Sequence, residues 1–420
     1  MHGGNPLYGR VRIQGAKNAV LPILAGTVLV EGVCIIRDVP KITDVHDMLH
    51  ILSGLGAKIQ WRGGDLHVDT RVLYNNEINA ELAGKLRGSV FLLGSMLGRF
   101  GEASMPMPGG CNIGARPIDL HILGLRGIGA QVKETKDRIE CRILGGSGGT
   151  VYLDFPSVGA TLNLIMAGTI GDGIVKIVNA AKEPEILDVA TFLNAAGACI
   201  TGAGTDTITI QGVSGLRGVD YTPIPDRINT GTFMVAVAAT GGEVTLENTI
   251  PEHNANLVSK LRNMGVVVKT TKDTIIVKSK GKGYKSVPSV QTAPYPGFST
   301  DLQSQFAALS TITSGRTSIT ENLYENRFKY ANELVKLGGR VCCITGRSLN
   351  IIGPRRQGLG TVTQPVEVSA TDLRAGAALV ILALASKGIT IINNAHLIAR
   401  GHEDIKRDLG SLGAVIYDTE

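Results

Sequence analysis

Two hydrophobic periods run through this chain. Short stretches alternate apolar and polar residues, as in LHVDT (66–70), ITIQG (208–212), TIIVK (274–278) and LNIIG (349–353). A period of two suits strands that bury one face. Other stretches are apolar throughout. AGAALVILALA (375–385) is too short to cross a bilayer, and its composition predicts a buried helix. Between these elements lies a repeated join of helix end, glycine and strand start. It occurs as ILSGLGAKI, GLRGIGAQV, FLNAAGACI, KLRNMGVVV, LVKLGGRV and DLGSLGAVI. The aligned glycines are Gly56, Gly129, Gly197, Gly265, Gly338 and Gly413, spaced 73, 68, 68, 73 and 75. Each fits the position after a helix where a positive φ is wanted.

A second glycine series runs out of phase with the first. Gly32, Gly101, Gly173, Gly242, Gly315 and Gly388 are spaced 69, 72, 69, 73 and 73. Two interlocked series of one period imply six units of about 70 residues. Each unit has room for two helices and about four strands, with hairpins and crossovers giving mixed sheets. The fold class is therefore α+β, built from six pseudo-repeats. The second unit departs from the others after Gly101, where EASMPMPGGCNIGAR stands in place of a hydrophobic strand. A decorated connection on a repeated scaffold is where function is expected.

Composition narrows the class. The chain has 420 residues, 43% hydrophobic and 19% charged, with 54 glycines. That describes a globular protein of two domains with many tight turns. The opening MHGGNPLYGR has no charged region followed by an apolar one, so no secretory signal is read. Six cysteines without a CxxC pair fit a reducing, cytoplasmic setting and signal neither a zinc nor a thioredoxin-type site. Net charge is +6 with a pI near 8.9. With 4% aromatics, one Trp and no Lys/Arg block, a nucleic-acid groove is disfavoured. A mildly basic surface and arginines converging on small anions both remain open.

The decorated loop, SMPMPGGCNIGARPIDLH (104–121), contains the one cysteine set among glycines and prolines. Cys34, Cys199, Cys342 and Cys343 lie in apolar segments, and Cys141 alternates along a strand, so at least four of these five are expected to be buried. Cys111 is either an ordinary free thiol or a reactive one. Pro117 suits a helix first turn, with Arg116 at its N-terminus. A helix N-terminus beside an arginine favours anions and lowers a thiol's pKa.

The motifs GAKNAVLPI, PGGCNIGARPIDLH, FPSVGAT, EPEILDVATFLN, GAGTDTI, DRINTGTF, TDLQSQF, ENRF, ATDLRAG and RGHEDI resemble those of the UDP-N-acetylglucosamine 1-carboxyvinyltransferases, enolpyruvyl transferases. The resemblance runs from about residue 8 to the C-terminus. It implies an inside-out α/β barrel of two domains with three units each, residues 14–225 and residues 1–13 plus 226–420. It implies transfer of the enolpyruvyl group of phosphoenolpyruvate to the sugar 3′-hydroxyl with release of phosphate. That is the first committed step of peptidoglycan precursor synthesis. No cofactor, metal, nucleic acid, membrane or obligate protein partner is implied.

The same resemblance assigns roles by position. Asp301, in FSTDLQSQF, resembles the aspartate that contacts and deprotonates the sugar hydroxyl. Read without the family, Ser299-Thr300-Asp301 also looks like a helix cap. Cys111 resembles the proton donor to the methylene of phosphoenolpyruvate, which also forms a covalent adduct. Lys17 and Asn18 resemble phosphoenolpyruvate-binding residues, and Arg116, Arg374 and Arg400 resemble further anion-binding arginines. Arg87, the segment Arg116, Pro117, Ile118, Asp119 and Leu120, the trio Ser157, Val158 and Gly159, and Leu323 resemble nucleotide contacts. Ser157 is also read as the cap of a helix starting near Gly159. Neither GAGT nor GGSGG fits a dinucleotide or P-loop fingerprint.

Four features depart from the family pattern. Phe155 stands where some relatives have a basic residue, Asn229 where glutamate is usual and Ser299 where proline is usual. The chain opens at HGGN where relatives have a further short strand. The related 3-phosphoshikimate 1-carboxyvinyltransferases lack the PGGC loop and the GARPIDLH segment, both present here. A catalytically inactive sugar-nucleotide-binding paralogue is expected to have lost Cys111, Asp301 or the arginines, and all are retained.

Overall fold

A computed structural model describes residues 1–74, 77–107, 113–114, 117–354 and 365–418. The chain forms two compact units. The first comprises Met1–Gln14, Asn112–Ala115 and Pro225–Glu420, and the second Gly15–Cys111 and Arg116–Ile224. Each has its own hydrophobic core. Among the described residues each unit contains three sheets. No described helix is long and apolar enough to cross a membrane.

In both units the most apolar helices are the most buried. Helix Leu373–Ala385 is buried from Leu373 to Leu384, and helix Val158–Thr169 from Ala160 to Thr169. In the second unit the central helices are Lys17–Gly26, Phe91–Phe100 and Val158–Thr169; in the first they are Arg227–Thr240, Gln303–Ser310 and Leu373–Ala385. A helix apolar on all sides, such as Leu373–Ala385, must be surrounded by other elements. The outer helices carry one apolar stripe. In Ala255–Met264 the buried residues are Leu257, Val258, Leu261 and Met264, a helical spacing.

Close packing of the centre depends on glycine. A Cβ added at Gly94 would lie 2.3 Å from the Asn163 carbonyl oxygen, and one at Gly98 would lie 2.6 Å from that of Met166. Since 94 meets 163 and 98 meets 166, helices Phe91–Phe100 and Val158–Thr169 run parallel, with their backbones nearly in contact.

The sheets are mixed, as the repeats predict. Strand Gly242–Glu247 pairs parallel with Leu7–Arg12 and antiparallel with Thr274–Ser279. Strand Ile174–Val178 likewise pairs parallel with Gly149–Tyr152 and antiparallel with Thr207–Gln211. Ile208 and Ile210 are buried in the core from strand Thr207–Gln211. The first glycine series has φ between 88° and 114° at all six positions, the left-handed region that favours glycine.

Four sequence expectations need correction. Gly101 does lead directly into a strand, Glu102–Pro106, so the second unit departs from its siblings only from Met107 onward. The helix near Pro117 begins at Asp119, two residues later than expected. A short N-terminal strand is present, with His2 and Gly3 pairing with Ile389 and Gly388. Finally, Cys34 and Cys141 are buried, but Cys199 and Cys342 are exposed. Cys199 starts an edge strand whose inward residue is Ile200. Cys342 stands at a register shift in another edge strand, which turns it outward. Burial pushes the Cys34 and Cys141 thiols up to about 12, so neither is reactive.

Two glycine substitutions separate backbone strain from helix propensity. Gly54 lies exposed in helix Thr43–Leu55 with nothing within 4 Å of an added Cβ. Gly197 has equal space but a φ of 114°. Denaturant titration is expected to show Gly54→Ala stabilising by about 0.5–1 kcal/mol. Gly197→Ala is expected to destabilise by about 1–2 kcal/mol.

Candidate active site

In the second unit the candidate residues gather at helix starts. Lys17 opens helix Lys17–Gly26, with Asn18 next to it. The Lys17 ammonium lies 2.7 Å from Oδ2 of Asp44, and both side chains are largely buried. Asp44 sits in the first turn of helix Thr43–Leu55. Arg87 opens the 3-10 turn Arg87–Val90, which runs into helix Phe91–Phe100. Ser157 caps helix Val158–Thr169, its hydroxyl accepting from the Ala160 N–H at 3.3 Å. Val158 and Gly159 form that helix's first turn. Pro117 and Asp119 are exposed, Leu120 is half-buried and Ile118 is buried. Phe155 is exposed. Cys111 and Arg116 lie outside the described residues.

Asn163 ties three of these elements together. Its Oδ1 accepts from Gly94 N–H at 2.7 Å, which directs its Nδ2 to the Val90 carbonyl at 3.0 Å and to His121 Nδ1 at 2.7 Å. His121 Nδ1 is therefore an acceptor, which leaves the neutral ring's proton on Nε2. A Cβ added at Gly159 would lie 2.7 Å from that Nε2. His121 thus packs directly under the turn formed by Ser157, Val158 and Gly159.

The first unit contains the most tightly built cluster. Asp301 lies in the 3-10 turn Thr300–Leu302 that leads into helix Gln303–Ser310. Its Oδ1 accepts from Arg327 Nη2 at 2.8 Å and its Oδ2 from Arg374 Nη2 at 2.9 Å. Both arginines are about 95% buried, while the Asp301 side chain is 23% exposed. The carboxylate is thus held by two buried arginines while it stays partly exposed. Ser299 supplies a cap here, accepting from the Asp301 N–H at 3.3 Å. Burial works against the Arg327 charge; Asp301 and Asp372 outweigh it and raise the guanidinium's pKa.

Arg374 occupies the first turn of helix Leu373–Ala385, its N–H capped by Asp372 Oδ1 at 2.9 Å. Its buried Nη1 has no protein acceptor among the described residues. Arg400 ends the 3-10 turn Ala395–Arg400 and is half-buried. The next carbonyl, Gly401, accepts from Asn229 Nδ2 at 3.2 Å. Leu323 is half-buried, its N–H bonded to Glu321 Oε1 at 2.9 Å. Asp301 and Arg374 are therefore in direct contact. Sequence reading missed Arg327, although it lies within ENRF, and Asp44, which has the form of an ordinary first-turn acid.

A family model described as EPSP synthase (3-phosphoshikimate 1-carboxyvinyltransferase) matches residues 1–409. The chain is 44% identical to UDP-N-acetylglucosamine 1-carboxyvinyltransferase 2 of Caldanaerobacter subterraneus subsp. tengcongensis, over 99% of this chain and 98% of that protein. It is equally identical, with the same coverage, to the UDP-N-acetylglucosamine 1-carboxyvinyltransferase of Clostridium botulinum. The chain belongs to the UDP-N-acetylglucosamine 1-carboxyvinyltransferase family. Among solved structures it is similar to the enolpyruvyl transferase NikO from Streptomyces tendae, with TM-score 0.86, 27% identity, and 99% and 97% coverage. An EPSP synthase structure from Acinetobacter baumannii gives TM-score 0.74 at 17% identity, with 98% and 97% coverage, and shares the fold alone. The family model bears the 3-phosphoshikimate name, whereas the relatives 44% identical over nearly the whole chain bear the UDP-N-acetylglucosamine name.

The clamp on Asp301 makes a stability prediction. Arg327→Ala removes one of the two buried arginines that hold Asp301, and loss of such a charge-assisted contact typically costs about 1.5–3 kcal/mol. Arg37 is exposed and paired with Asp65 and Asp220, so solvent screens the pairs and Arg37→Ala is expected to cost far less. Chemical denaturation of both variants checks the contrast; equal losses would mean that the clamp adds nothing beyond a surface pair.

Proposed function

We infer that the protein transfers the enolpyruvyl group of phosphoenolpyruvate to the 3′-hydroxyl of UDP-N-acetylglucosamine and releases phosphate, a cytoplasmic first step toward peptidoglycan. The observation that carries this is 44% identity along essentially the whole chain to proteins bearing that name. The sugar oxygen bonds to C2 of phosphoenolpyruvate as a proton reaches C3. Loss of a C3 proton with cleavage of the C2–O bond then expels phosphate. The chemistry needs a base, an acid and fixed cations.

Asp301 is the base in this reading. Arg327 and Arg374 each hold one of its oxygens, and the side chain stays 23% exposed, within reach of an incoming hydroxyl. Cys111 is the acid. Lys17, Asn18, Arg116, Arg374 and Arg400 bind the phosphate and carboxylate of phosphoenolpyruvate. The buried, unanswered Nη1 of Arg374 supports an acceptor delivered by a ligand. Arg87, Arg116, Pro117, Ile118, Asp119, Leu120, Ser157, Val158, Gly159 and Leu323 hold the nucleotide. First-turn N–H groups at Val158 and Gly159 suit a diphosphate.

Phosphate release tests the reaction. It is expected with UDP-N-acetylglucosamine and not with shikimate 3-phosphate; the reverse preference would overturn the reading.

The cation roles predict a selective effect. Arg400→Ala is expected to weaken phosphoenolpyruvate about tenfold or more, since a charge-assisted contact is worth about 1.5–3 kcal/mol. Its effect on UDP-N-acetylglucosamine should be smaller. Calorimetry with each ligand checks this, and equal weakening would make Arg400 structural.

The thiol role predicts selective alkylation. Fosfomycin, an epoxide analogue of phosphoenolpyruvate, is expected to form one adduct, on Cys111, when UDP-N-acetylglucosamine is present. Cys111→Asp is expected to keep some activity and escape the drug. Peptide mass spectrometry reads the outcome. An adduct on the exposed Cys199 or Cys342 instead would sink the assignment.

A further inference from the structure

Glu321 is fully buried, yet it forms no ion pair among the described residues. It follows strand Arg316–Thr320 and precedes Leu323. Its carboxylate gathers four donors. Oε2 accepts from the Thr300 hydroxyl at 2.8 Å. Oε1 accepts from the Thr292 hydroxyl at 2.8 Å, from Leu323 N–H at 2.9 Å and from Tyr324 N–H at 3.2 Å. Thr292 is itself locked: its hydroxyl accepts from Asn322 N–H and its carbonyl from Asn322 Nδ2, both at 2.9 Å.

One side chain therefore joins two pieces of the candidate site. Thr300 belongs to the same turn as Asp301, and Leu323 is the proposed nucleotide contact in the first unit. We propose that Glu321 is a positioning residue for the transfer, fixing the Asp301 turn against the Leu323 backbone through Thr300. This rests on the roles given to Asp301 and Leu323 above.

Chemistry argues for a carboxylate at this point. A buried charge without an ionic partner is costly, so a merely structural link would be met more cheaply by a neutral side chain. Glutamine has one acceptor oxygen. If it served Leu323, Tyr324 and Thr292, its amide would face Thr300 and turn that hydroxyl from donor to acceptor. Glutamate alone accepts from all four donors at once. Its charge also acts on Arg327, which grips Asp301. Small displacements of a reacting group are costly, about a hundredfold in rate for roughly 1 Å.

The test is steady-state kinetics of Thr300→Val, Thr300→Ser and Glu321→Gln beside the unmodified protein, with UDP-N-acetylglucosamine and phosphoenolpyruvate. Circular dichroism and thermal midpoints check folding. Thr300→Val is expected to lower kcat about tenfold or more, with KM for phosphoenolpyruvate changed less than about twofold. Thr300→Ser should restore most of kcat. Glu321→Gln should lower kcat and also raise KM for UDP-N-acetylglucosamine, because Leu323 loses its fixed place. If Glu321→Gln does not fold, the Thr300 pair carries the test. A folded Thr300→Val with wild-type kcat, or one whose only defect is a lower midpoint, overturns the proposal and leaves the function standing. An unmodified protein that releases no phosphate overturns both.

Discussion

The central helices are buried along most of their length, and that constraint decides where a charge can sit. A helix body sealed inside sheets has no place for a charge, because an unpaired buried charge is prohibitively costly. Only the ends remain. Lys17 and Asn18 open one central helix, Ser157, Val158 and Gly159 another, and Arg374 a third. Asp301 and Arg87 lie in 3-10 turns that lead into two more. The sixth, Arg227–Thr240, begins with the Asp226 cap and with Asn229, which reaches the Gly401 carbonyl beside Arg400.

Helix N-termini suit this chemistry for a further reason. Their first N–H groups lack intrahelical partners and carry the positive end of the helix dipole. Phosphoenolpyruvate and a nucleoside diphosphate sugar are both anions. A scaffold that repeats one buried helix six times supplies six such ends, and the roles proposed above divide among them by side-chain identity. At Gln303–Ser310 the turn carries a carboxylate instead, and two buried arginines hold it there.

Much of this scaffold is written locally. The first glycine series needs a positive φ, and that requirement shows as a bare glycine between two hydrophobic runs. Helix Leu373–Ala385 announces its burial through composition alone. What was not legible depends on distant partners. Arg327 is 26 residues from Asp301, and Asp44 is 27 from Lys17, so neither pair leaves a local pattern. Cys199 and Cys342 were misread because an alternating strand does not say which face turns inward at an edge or a bulge. The Glu321 hub is hidden for the same reason: its donors come from Thr292, Thr300, Leu323 and Tyr324, two of them backbone groups.

Amide hydrogen exchange, with and without UDP-N-acetylglucosamine and fosfomycin together, measures the central claim most directly. First-turn amides exchange readily because they lack helical partners, so a ligand seated on helix N-termini should protect them first. Protection is predicted in peptides covering 15–20, 157–161, 299–303 and 371–376, with little change at the C-terminal ends of the same helices. Protection confined to those C-terminal ends or to outer strands, with the four first turns unchanged, would contradict the account.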